Sequence, residues 1–184
     1  METLENRYFV ALHEAAKAIN STLNINEVLS KIVRATALAT KAKACSVMLL
    51  DVDRKYLVHQ ATYGLSEQYM HKGIIMADRS LADTLKGEPV AVTDVANDSR
   101  LQYPEEAIKE GIASMLCVPL TARDIIIGVI RIYSSQKQEF SADTVKLLCA
   151  IADLSAIAID NARMHDSLRK AYEVCRSELW HWQP

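Results

Sequence analysis

The sequence predicts an α+β fold in which helices cover both faces of an antiparallel sheet, and two features carry this prediction. The apolar runs 113–120 and 125–134 are separated only by residues 121–124. A connection this short cannot contain a crossover helix, so the two runs are expected to pair as an antiparallel hairpin. The second run is apolar at odd and even positions alike, which is typical of a central strand covered on both faces.

The first part of the chain is expected to supply two helices and a second strand pair. Apolar residues at helical spacing predict an amphipathic helix over residues 3–20. Asn24, followed by Glu27, resembles a capping box and indicates the start of a second helix. The dense apolar run 44–51 predicts a buried strand, which is expected to pair with residues 55–63 across a tight turn.

The middle of the chain is less regular, and the pattern becomes long and helical again only near its end. Residues 64–77 follow no sustained period. The short elements predicted after them are a helix over 80–86, a strand over 89–93, a polar loop over 94–103 and a helix over 104–110. The hairpin follows, and a long helix is predicted after Phe140.

Composition limits the classes of protein that this chain can belong to. A chain of 184 residues that is 50% hydrophobic fits one domain with a full core. A net charge of −2 provides no basic field for nucleic acid or an anionic membrane. The acidic start does not resemble a signal peptide, no apolar run is long enough to span a bilayer, and the 4 cysteines lack paired spacing. We therefore expect a cytoplasmic protein with no metal site and with neither nucleic acid nor membrane as a partner.

Several short motifs follow one another in a specific order along the chain. They are Val92-Thr93-Asp94, Asp98-Ser99-Arg100-Leu101, the segment 110–120, Gly128-Val129-Ile130 and Phe140-Ser141-Ala142-Asp143. Together with the helix that leads into residues 44–51, they resemble the motifs of GAF domains over roughly residues 20–165. The resemblance implies a GAF-like three-layer sandwich: a central antiparallel sheet of five to six strands, terminal helices on one face, and lid helices and loops on the other. It also implies a sensory or regulatory role in signal transduction, without catalysis.

In the family that the chain resembles, the irregular middle region covers a small-molecule pocket. Aromatic and polar side chains in an irregular lid are the expected wall of such a site. The predicted lining residues are Tyr63, Tyr69, Met70, Arg79, Asp94, Asp98, Arg100 and Tyr103, with Arg131 and Tyr133 on the last strand. The alternative is that Asp94 and Asp98 cap turns and that Arg100 is solvated. The sequence does not identify the ligand or a cofactor.

Arg131 is a charged residue in an otherwise apolar strand, and alternation places it on the same side as Ile127, Val129 and Tyr133. A buried charge needs a partner. One interpretation is a pocket-wall arginine for an anionic or carbonyl group of a ligand, and the other is a structural arginine paired with a carboxylate. A cavity of roughly a few hundred Å3 under the lid would support a ligand, whereas a filled space would leave a dimerisation module.

Cyclic-nucleotide-binding members of the family carry a five-residue constellation near the last helix. That constellation is Asn-Lys-Phe-Asp-Glu. The chain matches its lysine, phenylalanine and aspartate with Lys137, Phe140 and Asp143, but has other residues at the asparagine and glutamate positions. Capping of the last helix by Ser141, with Asp143 in the first turn, is the simpler interpretation. Cyclic-nucleotide binding is therefore not supported.

Other ligands and activities of the family also find little support. No cysteine lies in the lid between Cys45 and Cys117, so a covalent bilin is not expected, and only His59 and His71 could ligate a haem iron. Some family members reduce free methionine sulfoxide with lid cysteines, which must be accessible. Cys117 lies in a central strand and is expected to be buried and inert, so this redox activity is the less favoured alternative to a non-enzymatic role.

The last helix carries a heptad pattern of apolar and small residues over four repeats. The residues at alternating spacings of four and three are Leu147, Ile151, Leu154, Ala158, Asn161, His165, Leu168, Tyr172, Cys175 and Leu179. Beyond Asn161 the helix is longer than any core that this chain can supply, so we predict a parallel homodimer, with a downstream signalling protein as a possible partner. The expected division of the chain is an N-terminal dimerisation helix over 1–20, a GAF domain over 21–160 and a helical extension over 161–184. The alternative is a monomer in which the last helix folds back on residues 3–20.

Overall fold

The computed structural model describes residues 3–22 and 24–180, and describes side chains as far as residue 176. The helices are α1 (Leu4–Ser21), α2 (Ile25–Thr40), α3 (Glu67–Met70), α4 (Pro104–Lys109) and α5 (Ala142–Trp180), with a 3-10 helix at Ala82–Lys86. The strands are β1 (Ala44–Leu50), β2 (Tyr56–Tyr63), β3 (Ile75–Met76), β4 (Val90–Val92), β5 (Ser114–Ala122) and β6 (Ile125–Ser134). The predicted elements are present, and the irregular stretch 64–77 contains α3 and β3 in addition. The side chain of Leu179 and residues 181–184 of the predicted extension lie outside the described residues.

In the described part of the chain, six strands form one antiparallel sheet in the order β3-β2-β1-β6-β5-β4. Strands β5 and β6 form the predicted hairpin. Arg123 and Asp124 both have positive φ at its turn, the combination that a type I′ turn requires. Helices α1, α2 and α5 pack together on one face, and α3, α4 and the 3-10 helix belong to the lid on the other face. The α+β three-layer sandwich is therefore confirmed.

Strand β6 occupies a central position in the sheet, and its residues from Gly128 to Ser134 are all buried. Ile130 and Ile132 pack in the helix-side core, whereas Val129 and Tyr133 pack in the lid-side core. The continuous apolar run thus reflects burial on both faces, as predicted.

The predicted side-chain direction of Ile127 is wrong. Leu120 pairs with Gly128 and Thr121 pairs with Ile126, so Ile127 lies in a bulge without a residue opposite it on β5. A bulge residue breaks the alternation of side chains along a strand. Ile127 consequently packs with the helix-side core rather than on the side of Arg131.

Helix α5 begins against the sheet and continues far beyond it. Leu148 and Ile151 are fully buried, and the Oη of Tyr8 on α1 lies 2.9 Å from the Oγ1 of Thr144 on α5. From residue 163 to residue 176, every side chain is exposed. The helix is therefore longer than the core of its own chain, as predicted. None of the described helices is both long and apolar enough to cross a membrane.

Candidate functional site

The space between the lid and the sheet is filled by mostly aliphatic side chains, among which two tyrosines lie in contact. Tyr69 on α3 packs edge to face against Tyr133 on β6, with ring centroids 6.3 Å apart and planes at 81°. The Oη of Tyr133 lies 2.9 Å from the Oγ of Ser46 on the neighbouring strand β1. Both rings are buried, and burial raises the pKa of the Tyr69 phenol, so both phenols are neutral near pH 7.

Arg131 lies beside these rings and is only 5% exposed. Its Nε donates to the Sγ of Cys117 at 3.1 Å, its Nη1 donates to the Oγ of Ser80 at 3.2 Å, and its Nη2 donates to the carbonyl oxygen of Ser80 at 2.9 Å. None of the described carboxylates forms an ion pair with it. The interpretation of Arg131 as one half of a buried carboxylate pair is therefore wrong, and its charge is solvated only by neutral acceptors.

Two further basic side chains lie on the same side of the sheet. The Nζ of Lys72 donates to the carbonyl oxygen of Tyr69 at 3.1 Å and lies 3.8 Å from the centroid of the Tyr69 ring. Burial and the charge of Arg131 lower the pKa of Lys72 to about 8. Burial, together with the charges of Lys72 and Arg131, lowers the pKa of His59 to about 4. Neither ring nitrogen of His59 has a hydrogen-bond partner among the described residues, so this lid-side region is basic and incompletely paired.

A small cavity remains between these groups, with a volume of only about 10 Å3. Its lining residues are Tyr69, Lys72, Ile75, Ser80, Leu101, Gln102, Tyr103, Ala107, Met115 and Arg131. A cavity needs roughly 10–15 Å3 to hold one water molecule. The prediction of a cavity of a few hundred Å3 is therefore wrong for this conformation, in which the lid is closed onto the sheet.

Some of the predicted lining residues meet in this region. Tyr69, Tyr103 and Arg131 line the cavity, and Tyr133 packs against Tyr69. The Oη of Tyr103 donates to the carbonyl oxygen of Ile74 at 2.8 Å and so ties the loop before α4 to the segment before β3. Four of the predicted residues, from three separate parts of the chain, therefore lie together.

Other predicted residues lie elsewhere. Tyr63 packs with the helix-side core, because a bulge in β2 opposite Val47 and Met48 reverses the alternation of side chains after His59. Met70 is half-buried at the end of α3 but is not part of the cavity wall, and Arg79 is exposed.

The three charged residues of the polar loop also lie outside the cavity. Asp94 accepts from the backbone N–H of Ala96 at 3.1 Å, and Asp98 accepts from the backbone N–H of Arg100 at 2.9 Å. The Nη2 of Arg100 also donates to the carbonyl oxygen of Ala91 at 3.0 Å. The turn-capping alternative is therefore correct for Asp94 and Asp98, whereas Arg100 is paired rather than only solvated. These residues border a shallow surface depression of about 400 Å3.

The predicted site residues do not include Lys72 or Ser80, and they include His59 only as a candidate haem ligand. Lys72 had only a weak signal, its closeness in sequence to the predicted Tyr69, because residues 64–77 show no helical period and α3 ends at Met70. Ser80 had none, since its contact with Arg131 joins residues 51 positions apart. Only the tertiary structure reveals that pairing.

Structural roles account for four of the residues weighed for other chemistry: Lys137, Ser141, Cys117 and His71. Lys137 forms an ion pair with Asp94 at 2.6 Å, and Ser141 accepts from the backbone N–H of Thr144 at 3.2 Å, which confirms the predicted helix cap. Cys117 is fully buried, as predicted. The ring of His71 lies at the surface, 2.7 Å from the carbonyl oxygen of Glu67. Among the described residues, no group of His, Cys, Asp and Glu side chains could hold a metal ion.

The burial of both ring nitrogens of the half-buried His59 leads to a prediction about stability in acid. The pKa of His59 is about 4 in the folded protein against 6.5 for an ordinary histidine. Between these pH values the unfolded chain binds a proton that the folded chain does not, so stability is lost as the pH falls from 6.5 to 4. We expect His59→Leu to remove about 2–3 kcal/mol of this loss. The measurement is the free energy of unfolding in urea at pH 7 and at pH 4.

The matched control for this prediction is His71→Leu, since His71 is exposed. This control should leave the difference in stability between pH 7 and pH 4 unchanged. An equal acid-induced loss in wild type and His59→Leu would contradict a histidine that is held neutral at position 59.

Residues 24–161 match the family model of the GAF domain, so the chain belongs to the GAF domain family. GAF domains are sensory or regulatory modules that bind small molecules, and they commonly occur in signalling proteins and dimerise. No curated protein matches the chain in a sequence search.

Solved structures of other proteins share the fold. A GAF domain of a phosphoenolpyruvate-protein phosphotransferase from Coxiella burnetii aligns with a TM-score of 0.78, at 20% identity over 88% of this chain and 97% of that chain. The corresponding domain from Acinetobacter aligns with a TM-score of 0.73, at 24% identity over 85% and 94% of the two chains. Free methionine-R-sulfoxide reductase from Neisseria meningitidis, solved with its substrate, aligns with a TM-score of 0.72, at 18% identity over 86% and 91%.

Proposed function

We propose that this chain is a GAF-type sensor that binds a small molecule between its sheet and its lid and transmits the signal as a homodimer. The observation that carries the binding proposal is the buried guanidinium of Arg131, which lies near Lys72 and His59 and has no described carboxylate as a partner. Burying unbalanced charge is costly, and proteins retain such groups where a ligand completes them.

The alternative is a module whose pocket has collapsed and which serves only for dimerisation. The cavity of about 10 Å3 supports this alternative, because it cannot hold a ligand without movement of the lid.

Both proposals assign the chain a regulatory role without catalysis. A role without thiol catalysis is supported by the absence of cysteine between Cys45 and Cys117 and by the burial of Cys117. We also propose a cytoplasmic location, which the free cysteines at 45, 117, 149 and 175 support.

Mass spectrometry of small molecules released from freshly purified, denatured protein tests the choice between sensor and collapsed module. We expect a compound to be released from wild type and from the control Arg123→Met, but not from Arg131→Met. Arg123 is a suitable control because its ion pair with Asp160 lies on the surface far along the hairpin. The absence of any released compound from wild type would favour the collapsed module.

The homodimer proposal depends on the exposed second half of α5. Leu168 and Tyr172 are each 66% exposed, and Met164 is 48% exposed. Leu168 and Tyr172 occupy seam positions of the heptad pattern, and a lone helix would leave both in water. Because α1 packs against α2 and α5 of its own chain, we place the main dimer contact in residues 162–180 and only an accessory contact at α1. The division of the chain into segments 1–20, 21–160 and 161–184 remains part of this proposal, as does a downstream signalling protein.

The predicted consequence is that a double substitution, Leu168→Glu with Tyr172→Glu, converts the dimer to a monomer. Like charges at facing seam positions repel, and the apolar contact is lost, so we expect at least about a 100-fold weaker association. Light scattering after size-exclusion chromatography should give about twice the chain mass of 20.5 kDa for wild type and 20.5 kDa for the variant.

The control for the dimer is Lys170→Glu, which changes a charge at the outermost position of the same heptad. It should leave the mass at the dimer value. A wild-type mass of 20.5 kDa at all concentrations would contradict the proposal and favour a monomer.

A further inference from the structure

We infer that the lid site takes a small molecule bearing a carboxylate or another planar oxyanion, which displaces Ser80 from Arg131 and releases the 3-10 helix from the sheet. This inference rests on the proposed small-molecule binding. It adds the chemical class of the ligand and the structural change that binding produces.

Ser80 contacts Arg131 in the way that a carboxylate would. Its hydroxyl oxygen accepts from Nη1 at 3.2 Å and its carbonyl oxygen accepts from Nη2 at 2.9 Å. Two acceptors on two nitrogens of one guanidinium reproduce the paired contacts of an arginine–carboxylate fork. The remaining contact, from Nε to the Sγ of Cys117, uses a weak acceptor. Ser80 therefore occupies the place of a bidentate anion without carrying its charge.

The charges around the position that Ser80 occupies beside Arg131 favour an anionic ligand over a neutral one. Lys72 and Arg131 line the same small cavity, and both lower the pKa of His59. Two acidic groups, Glu110 and Glu106, also act on Lys72, and Glu110 accepts hydrogen bonds from Ser66 and forms an ion pair with Lys43. An oxyanion would supply the negative charge that the neutral Ser80 cannot.

The segment that carries Ser80 is strained in the closed conformation. Leu81 has φ 56° and ψ 48°, a left-handed conformation that costs a branched residue energy, and its side chain is almost completely buried. The Oγ1 of Thr84 is buried and has no hydrogen-bond partner among the described residues. Displacement of residues 80–86 would relieve both costs, and the side chain of Leu81, whose burial favours the closed lid, is what the ligand has to compete against. The closed lid is therefore a state that a competing ligand can open.

The small cavity volume makes binding and opening a single event. A cavity of about 10 Å3 cannot accept a carboxylate, so an anion can reach Arg131 only by taking the place of Ser80. The backbone N–H of Leu81 donates to the carbonyl oxygen of Arg100 at 3.2 Å, which couples the 3-10 helix to the polar loop. Ligand binding would thereby change the outer surface of the lid, which a partner protein can read.

The test is calorimetric titration of the full chain with sodium acetate, pyruvate, succinate, citrate and nitrate, at constant ionic strength set by chloride. Acetamide and glycerol serve as neutral probes. We expect one or more of the oxyanions to bind wild type and Arg123→Met, and to bind Arg131→Met at least about 30-fold more weakly. Arg131→Lys keeps the charge but loses the fork, and should weaken binding at least about tenfold.

Ser80→Ala tests the displacement itself, because it removes one contact of the closed state and leaves Arg131 in place. We expect it to bind the same oxyanion about tenfold more tightly. Hydrogen exchange of the backbone amides in residues 81–87 should become faster in wild type when the oxyanion is bound. Unchanged exchange together with unchanged affinity in Ser80→Ala would overturn the displacement.

The outcomes separate this inference from the proposed function. Binding of only neutral probes, or equal oxyanion binding by wild type and by both Arg131 variants, would overturn the inference and leave small-molecule binding intact. If no probe binds wild type and no compound is released from the purified protein, both proposals fail.

Discussion

Gly128→Ala should lower the free energy of unfolding by more than about 3 kcal/mol, because it forces the two central strands apart. A Cβ atom at position 128 would lie 2.2 Å from the carbonyl oxygen of Met48 and 2.9 Å from the Cα of Leu49. Both atoms belong to the backbone of β1, which cannot rotate away as a flexible side chain could. The sheet can accommodate the methyl group only by moving β1 relative to β6 and weakening their pairing.

Urea unfolding of Gly128→Ala and of Gly87→Ala provides the measurement and its control. Gly87 has φ 105°, but a Cβ there would meet no atom within 4 Å. Its replacement should therefore cost only the backbone strain, about 1–2 kcal/mol. A loss at Gly128 no larger than that at Gly87 would show that the central strands separate at little cost.

The second large effect is expected at Arg131, where the two substitutions Arg131→Ala and Arg131→Met should differ. Arg131→Ala leaves a cavity between lid and sheet and should cost about 3 kcal/mol in the free energy of unfolding. Arg131→Met fills most of that space and removes a buried charge that has no described carboxylate partner. It should therefore leave stability within about 1 kcal/mol of wild type or raise it. Both variants should lose oxyanion binding.

Chemical denaturation at pH 7 measures this difference, with Arg123→Met as the control for loss of an arginine at the surface. The pair of Arg123 with Asp160 is exposed, and its removal should change stability by no more than about 1 kcal/mol. If Arg131→Met costs as much as Arg131→Ala, the guanidinium stabilises the closed lid through Ser80 more than its burial destabilises it.

The sequence alone determines the framework of this protein because the framework depends on local patterns. The short separation of two apolar runs predicts the β5–β6 hairpin, and apolar residues at consecutive positions predict a central strand. Helical periodicity predicts α1, α2 and α5, including the exposed end of α5. The order of motifs also predicts the GAF family, which the family match over residues 24–161 confirms.

The tertiary structure decides the details of the site, because these depend on contacts between distant residues. The bulges at Ile127 and in β2 reverse side-chain directions, and strict alternation therefore assigns Tyr63 and Ile127 to the wrong face. The partner of Arg131 is a serine 51 positions earlier rather than a carboxylate. The cavity volume depends on how closely the lid packs on the sheet. A periodic sequence pattern indicates that a side chain is buried, but only three-dimensional packing determines which atoms contact it in the core.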